Sequence, residues 1–166
     1  MRKLALLCSL LVLATTFTIA QKQITTFILV RHAEKGDDGT NDPDLKPEGI
    51  ERAARLAQML SETAVDAIYS TAFKRTRSTV APLAAAKNLE VKSYDAFEVA
   101  EIEKMIKKHS GGTVVVSGHS NNIPWIANLL LGKEQYQPYR DSEYGNLLVV
   151  SVAEKGKVAK VTWLTY

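Results

Sequence analysis

Thr26-Phe27-Ile28-Leu29-Val30, running straight into Arg31-His32, is the stretch on which the fold turns. Its apolar residues follow one another without alternating. A strand solvated on one face would alternate; an unbroken run fits a strand buried on both faces, as in parallel sheets covered by helices. The chain downstream keeps to that plan. After a polar loop over residues 34–44, a helix is predicted over residues 47–61. Pro47 suits its first turn, Glu48 favours its positive end, and Ile50, Ala53, Ala57 and Leu60 form one face. Residues 65–69 read as a second strand. Residues 76–87 read as a helix that Asn88 stops in the left-handed conformation, with Pro82 implying a kink or a late start.

Residues 90–94 form a third predicted strand, and residues 98–109 a helix aligning Val99, Ile102 and Ile106. Gly111-Gly112 breaks it before a fourth strand over residues 113–117. Asn122 then caps a helix through Leu131 that Gly132 ends. The tail reads as a hairpin of residues 147–153 and 158–164 around Glu154-Lys155-Gly156-Lys157. Strand and helix alternate four times. The expected class is α/β: a three-layer sandwich, a mainly parallel sheet with helices on both faces.

The first twenty residues stand apart. Arg2 and Lys3 precede an apolar run over residues 4–14, and Thr18 and Ala20 are small residues before Gln21. That pattern is expected of a cleaved signal peptide over 1–20, and the run falls short of the roughly 20 apolar residues a spanning helix needs. The expected product is an exported protein, periplasmic or extracellular, without a membrane anchor. It consists of one domain over 21–166, with no repeat or linker. Composition changes meaning accordingly. The whole chain of 166 residues carries 21 Lys+Arg against 18 Asp+Glu, a formal +3. Losing Arg2 and Lys3, and no acidic residue, takes the 21 basic residues to 19 against 18 acidic. A near-neutral domain gives no ground for a nucleic-acid partner. The single cysteine, Cys8, excludes a disulfide framework and leaves with the leader.

In doubly covered sheets, ligands bind beyond the carboxyl ends of the strands. Arg31-His32 follows the first strand, and Gly118-His119-Ser120 follows the fourth. Ser70 ends the second strand ahead of the basic run Lys74-Arg75-Thr76-Arg77. Were these strands neighbours, two imidazoles and two guanidiniums would share one small volume. Ser120-Asn121-Asn122 would add backbone N–H groups at a helix start. A lone histidine or arginine at a strand end is ordinarily a local cap or ion pair. His109, closing a helix behind Lys107 and Lys108, reads as such a cap. It is the coincidence of position that points to a phosphate pocket, since guanidinium forks match phosphate oxygens and remain charged. A neutral histidine among cations is a nucleophile for phosphorus.

Four ordered segments resemble the histidine phosphatase superfamily, the phosphoglycerate-mutase-like proteins. They are Val30-Arg31-His32-Ala33-Glu34, residues 42–49 at the first helix, residues 71–79 around Arg75, and Gly118-His119-Ser120-Asn121. The resemblance implies a phosphoglycerate-mutase-like fold and hydrolysis of small phosphomonoesters through a phosphohistidine on His32. Arg31, Arg75 and His119 would hold the phosphoryl group, with backbone contacts from Ser120 or Asn121, and Arg77 would point away. No cofactor or metal is implied, and two flanking arginines suit a divalent cation poorly. The rival readings are mutase-type phosphoryl transfer, metal-assisted hydrolysis on His32, His119 and Asp95, and phosphate-ligand binding without turnover.

The chain departs from the family pattern in three places. Ala33 replaces the usual glycine. Lys46 stands where a capping Ser or Thr is common. The family's general-acid glutamate lacks its surrounding motif, leaving Asp95 (favoured at its strand end), Glu98 and Glu34 as candidates, or no acid at all, as in some small members of the family. The acidic loop with Asp37, Asp38, Asp42 and Asp44 does not match an EF-hand and reads as solvated surface. Tyr136, Tyr139, Arg140 and Tyr144 belong to a variable loop that could meet a substrate, with tyrosine packing on the hairpin the plainer reading.

Overall fold

The computed structural model describes residues 23–166; the expected leader and Cys8 lie outside them. Six strands and four helices follow one another as β1 (Thr25–Arg31), α1 (Pro47–Met59), β2 (Ala67–Ser70), α2 (Lys74–Lys87) and β3 (Val91–Ser93). Then come α3 (Val99–Lys108), β4 (Thr113–Gly118), α4 (Asn122–Leu131), β5 (Asn146–Glu154) and β6 (Val158–Thr165). The sheet order is β3-β2-β4-β1-β5-β6. The first four strands pair in parallel, and β5 and β6 add an antiparallel edge.

Alternate residues of each central strand feed two separate cores, which is why β1 needs no polar face. Phe27 and Leu29 pack with Val114 and Val116 against Ile102, Met105, Ile123 and Ile126 of α3 and α4. Ile28, Val30, Ile68 and Val115 pack against Leu56 of α1 and Val80 and Leu83 of α2. The expected three-layer arrangement is the observed one.

Local departures have tertiary causes. Ala53, Ala57 and Leu60 of the expected α1 face do reach the core, but Ile50 is 60% exposed and Gly49 and Leu56 are buried in addition. The chain presses so closely here that a Cβ on Gly49 would lie 2.4 Å from the Glu34 carbonyl oxygen; the contact face is thereby fixed on the glycine. Lys46 precedes α1 without a side-chain cap, as its chemistry dictates. Helix α2 starts at Lys74, two residues before the expected Thr76, and carries Pro82 inside it, which corrects the late start. Its first turn is capped from a distance: the Lys74 N–H donates to Asp42 Oδ1 at 2.9 Å. In α3, Val99 is 40% exposed and Met105 joins Ile102 in the core, displacing the expected alignment. Asn88 and Gly132 end their helices at positive φ, as expected.

Candidate active site

Parallel pairing sets β1 beside β4 with Arg31 opposite Gly118, so the two strands release His32 and His119 side by side. The His32 N–H donates to the Gly118 carbonyl at 2.8 Å, locking that register one residue past the strand. The imidazoles stand edge to face with centroids 5.5 Å apart.

His32 is 4% exposed. Its Nδ1 lies 2.8 Å from the Ala33 carbonyl oxygen, which can only accept. Nδ1 therefore carries the proton and Nε2 keeps its lone pair. Ala33 is held in turn, its N–H donating to Thr79 Oγ1 at 2.8 Å. Across the site, His119 Nε2 sits 3.0 Å from Thr71 Oγ1, and its backbone N–H donates to Asn122 Oδ1 at 2.6 Å. The Asn122 amide donates onward to the Tyr94 hydroxyl at 2.9 Å. Gly118 leaves room for that chain: a Cβ there would come within 2.4 Å of Asn122 Oδ1 and 2.8 Å of the Tyr94 hydroxyl.

Two guanidiniums flank the imidazoles. Arg31 Nη1 donates to the carbonyls of Arg140 and Glu143 at 2.8 and 2.7 Å, and the group lies 4.3 Å from the centre of the Tyr144 ring. Arg75 lies 4.3 Å from the centre of the Phe73 ring; its Nη1 donates to the Asn41 carbonyl at 3.0 Å and faces Asp42 Oδ1 at 3.5 Å. Neither Nε has a protein partner although both are buried. Buried donors ordinarily find acceptors, so these two suit a ligand rich in oxygen.

Burial first, then the charges of Arg31, His119 and Arg75, push the His32 pKa down to about 3, against the pull of its bond to Ala33. Burial, Arg75 and Arg31 take His119 down to about 4, with Asp42 opposing. Both rings are thus neutral near pH 7. In the unfolded chain they would titrate near 6.5, so between that value and about 4 the unfolded state binds more protons. Stability should therefore fall as pH drops through that window, read as a declining urea midpoint. The ring Cε1–H resonances of His32 and His119 should stay at their neutral shifts to below pH 5 in a proton NMR titration.

A cavity of about 520 Å³ is lined by Arg31, His32, Arg75, His119, Ser120 and Asn121, and Asp95 also reaches it. Every phosphate-site residue expected from the sequence meets there. The other acid candidates do not. Glu34 is gripped by Arg52, with Oε1 2.6 Å from Nη2, and that hydrogen bond holds its carboxyl below the usual range. Glu98 precedes α3 as its N-cap residue, off the lining. Arg77 turns away to the Ser93 hydroxyl and the Val91 carbonyl. His109 is no cationic cap: burial, Lys92 and Lys108 lower its pKa, and its Nε2 meets the Tyr69 hydroxyl at 3.0 Å.

Sequence reasoning missed the residues that hold the site in place. Thr71 and Thr79 lie in the segment around Arg75 and Asn122 at the start of α4, but their roles, like that of Tyr94, come from contacts between distant segments. Tyr136 and Tyr139 do pack on the hairpin, against Trp163, but Tyr144 sits 6.1 Å from the His32 ring. The acidic loop is no mere solvated surface either, since Asp42 both caps α2 and faces Arg75.

Parts of this chain are similar to known proteins. Residues 27–98 match the model of the histidine phosphatase superfamily (branch 1). Phosphoserine phosphatase 1 of Hydrogenobacter thermophilus is 49% identical over 70 residues, which cover 39% of this chain and 33% of that protein. The matched part thus spans about a third of that curated relative's length. Among solved structures, the protein histidine phosphatase SixA complexed with tungstate superposes with a TM-score of 0.68 at 15% identity, covering 84% of this chain and 96% of that one. Phosphoglycerate mutase from Bacillus anthracis gives a TM-score of 0.68 at 14% identity over 86% of this chain and 93% of that one. At those identities the likeness is one of fold. Over residues 27–98 the chain is thus similar to the histidine phosphatase superfamily (branch 1), and its fold is like that of SixA and phosphoglycerate mutase.

Proposed function

We propose that the protein hydrolyses small phosphomonoesters by two-step transfer through a phosphohistidine on His32. The observation that carries this reading is the bare Nε2 of a neutral, buried histidine, set by the Nδ1–H bond to Ala33, facing a cavity shared with Arg31, Arg75 and His119. The Nε2 lone pair attacks phosphorus and the bond from phosphorus to the leaving oxygen breaks. Arg31, Arg75 and His119 hold the phosphoryl oxygens as charge spreads over them. Water then attacks the phosphohistidine, the P–N bond breaks and Nε2 recovers its lone pair.

Asp95 is the proposed acid, donating a proton to the leaving oxygen in the first step and taking one from water in the second. Its support is position: of the three carboxylates weighed, it alone reaches the cavity. Asp95→Asn should slow alkyl phosphates about 10²-fold while scarcely affecting para-nitrophenyl phosphate, whose leaving group needs no proton. Equal loss on both substrates would remove Asp95 from that role. Covalent chemistry itself is tested by quenching turnover of a ³²P-labelled substrate: the label on protein should be acid-labile and base-stable, as a phosphohistidine is. The curated relative's name, phosphoserine phosphatase, is consistent with a small phosphorylated substrate.

Export belongs to the same proposal. Its support is the order of Arg2-Lys3, the apolar run and the small residues before Gln21. N-terminal sequencing of the protein recovered outside the inner membrane should begin at Gln21.

A further inference from the structure

The cavity is charged on one side and aromatic on the other, and the aromatic side is held by an unusual backbone. Phe97, between β3 and α3, has φ of +66°. A bulky residue is strained there, and such strain gathers at ligand sites. Its ring is nevertheless 47% exposed and lies edge to face with Trp125, centroids 5.3 Å apart. Phe73, 39% exposed, is a second apolar ring lining the same cavity, edge to face with His119 at 4.9 Å and beside the Arg75 guanidinium.

Phe97 and Asn121 also line a second depression of about 230 Å³, together with Pro124, Trp125, Tyr136 and Pro138. Charge is divided just as unevenly. Arg31, Arg75 and the two histidines lie at the phosphoryl end. The charged groups bordering the aromatic side are the carboxylates of Asp95 and Glu134. Lys35 and Asp141 also reach the main cavity, but they continue into a different depression beside Tyr144 and Lys46.

We propose that Phe97 and Trp125 form a leaving-group subsite for a flat, uncharged aromatic group. The preferred substrate class is then an aryl phosphomonoester, and a leaving group bearing its own carboxylate is disfavoured. This rests on the phosphatase reading of the adjoining site. An aryl ring would gain edge-to-face contacts with Phe97 and Trp125, whereas a carboxylate would be brought towards the carboxylates of Asp95 and Glu134, which line these cavities.

The test uses phosphonates, which bind without being hydrolysed and so remove leaving-group reactivity from the comparison. Calorimetric titration of the native protein should show benzylphosphonate binding about tenfold more tightly than methylphosphonate, and 2-carboxyethylphosphonate no better than methylphosphonate. In Phe97→Gly, which keeps a residue at ease with that φ, the benzyl preference should shrink to within about threefold. Trp125→Leu should shrink it in the same direction. Equal affinity for benzyl and methyl compounds, a preference that survives both substitutions, or tighter binding of the carboxyethyl compound would overturn the proposal. A retained benzyl preference without turnover of phenyl phosphate would overturn the phosphatase reading and leave the aryl subsite standing. Binding of none of the three would overturn both.

Discussion

His32→Ala is expected to abolish acid-labile labelling and to lower kcat/KM by more than about a thousandfold. The size follows from what is lost. Removing an ancillary donor leaves a slower version of the same route, whereas removing Nε2 leaves no atom to receive the phosphoryl group. Thr71 and Thr79 carry hydroxyls near the site, but Thr79 Oγ1 donates to the Arg75 carbonyl and Thr71 Oγ1 to Thr76, so neither is free to substitute. Circular dichroism should remain native, because the backbone bond from residue 32 to Gly118 does not need the ring. Inorganic phosphate should still bind the variant, since both guanidiniums and His119 remain. Full turnover by the alanine variant would exclude the covalent route.

Arg31→Ala is the second large effect, and it should appear in catalysis and stability together. Arg31 Nη1 serves the carbonyls of Arg140 and Glu143, so its side chain ties the segment between α4 and β5 to the end of β1. Losing a donor of phosphoryl charge costs about 10²–10³-fold in kcat/KM. Two carbonyls left without that donor cost about 1–3 kcal/mol, read from the urea midpoint. Arg31→Lys should recover charge but not the fork, regaining part of the binding and little of the loop's anchoring. A stability loss with unaltered kinetics would make Arg31 a structural residue only. The same anchoring explains how Tyr144 reaches His32.

The sheet was legible because each central strand carries an unbroken apolar run, and the site because Arg31, His32 and His119 stand at the ends of two of those runs while Arg75 opens the helix after a third. Thr26 to His32 thus contained both the architecture and the nucleophile. What escaped depends on contacts between segments distant in sequence. The face of α1 is set by Gly49 meeting Glu34, which no helical period encodes. The start of α2 is set by Asp42, more than thirty residues upstream. Tyr94, Asn122 and Thr71 are ordinary polar residues until β3, α4 and the end of β2 bring them to His119. The acid candidates needed coordinates for the same reason: Glu34 is nearest His32 in sequence, yet it belongs to Arg52.

The position of β4 has a consequence during synthesis. In the finished sheet it lies between β2 and β1, so the two strands made first never touch each other. As the chain emerges, β1 has both edges open and β2 one, and all these apolar edges wait for strands that come later. Unpaired apolar edges invite pairing with other chains. Insertion of residues 113–118 between β2 and β1 closes one edge of each and places His119 beside His32, while the far edge of β1 stays open until β5 pairs with it.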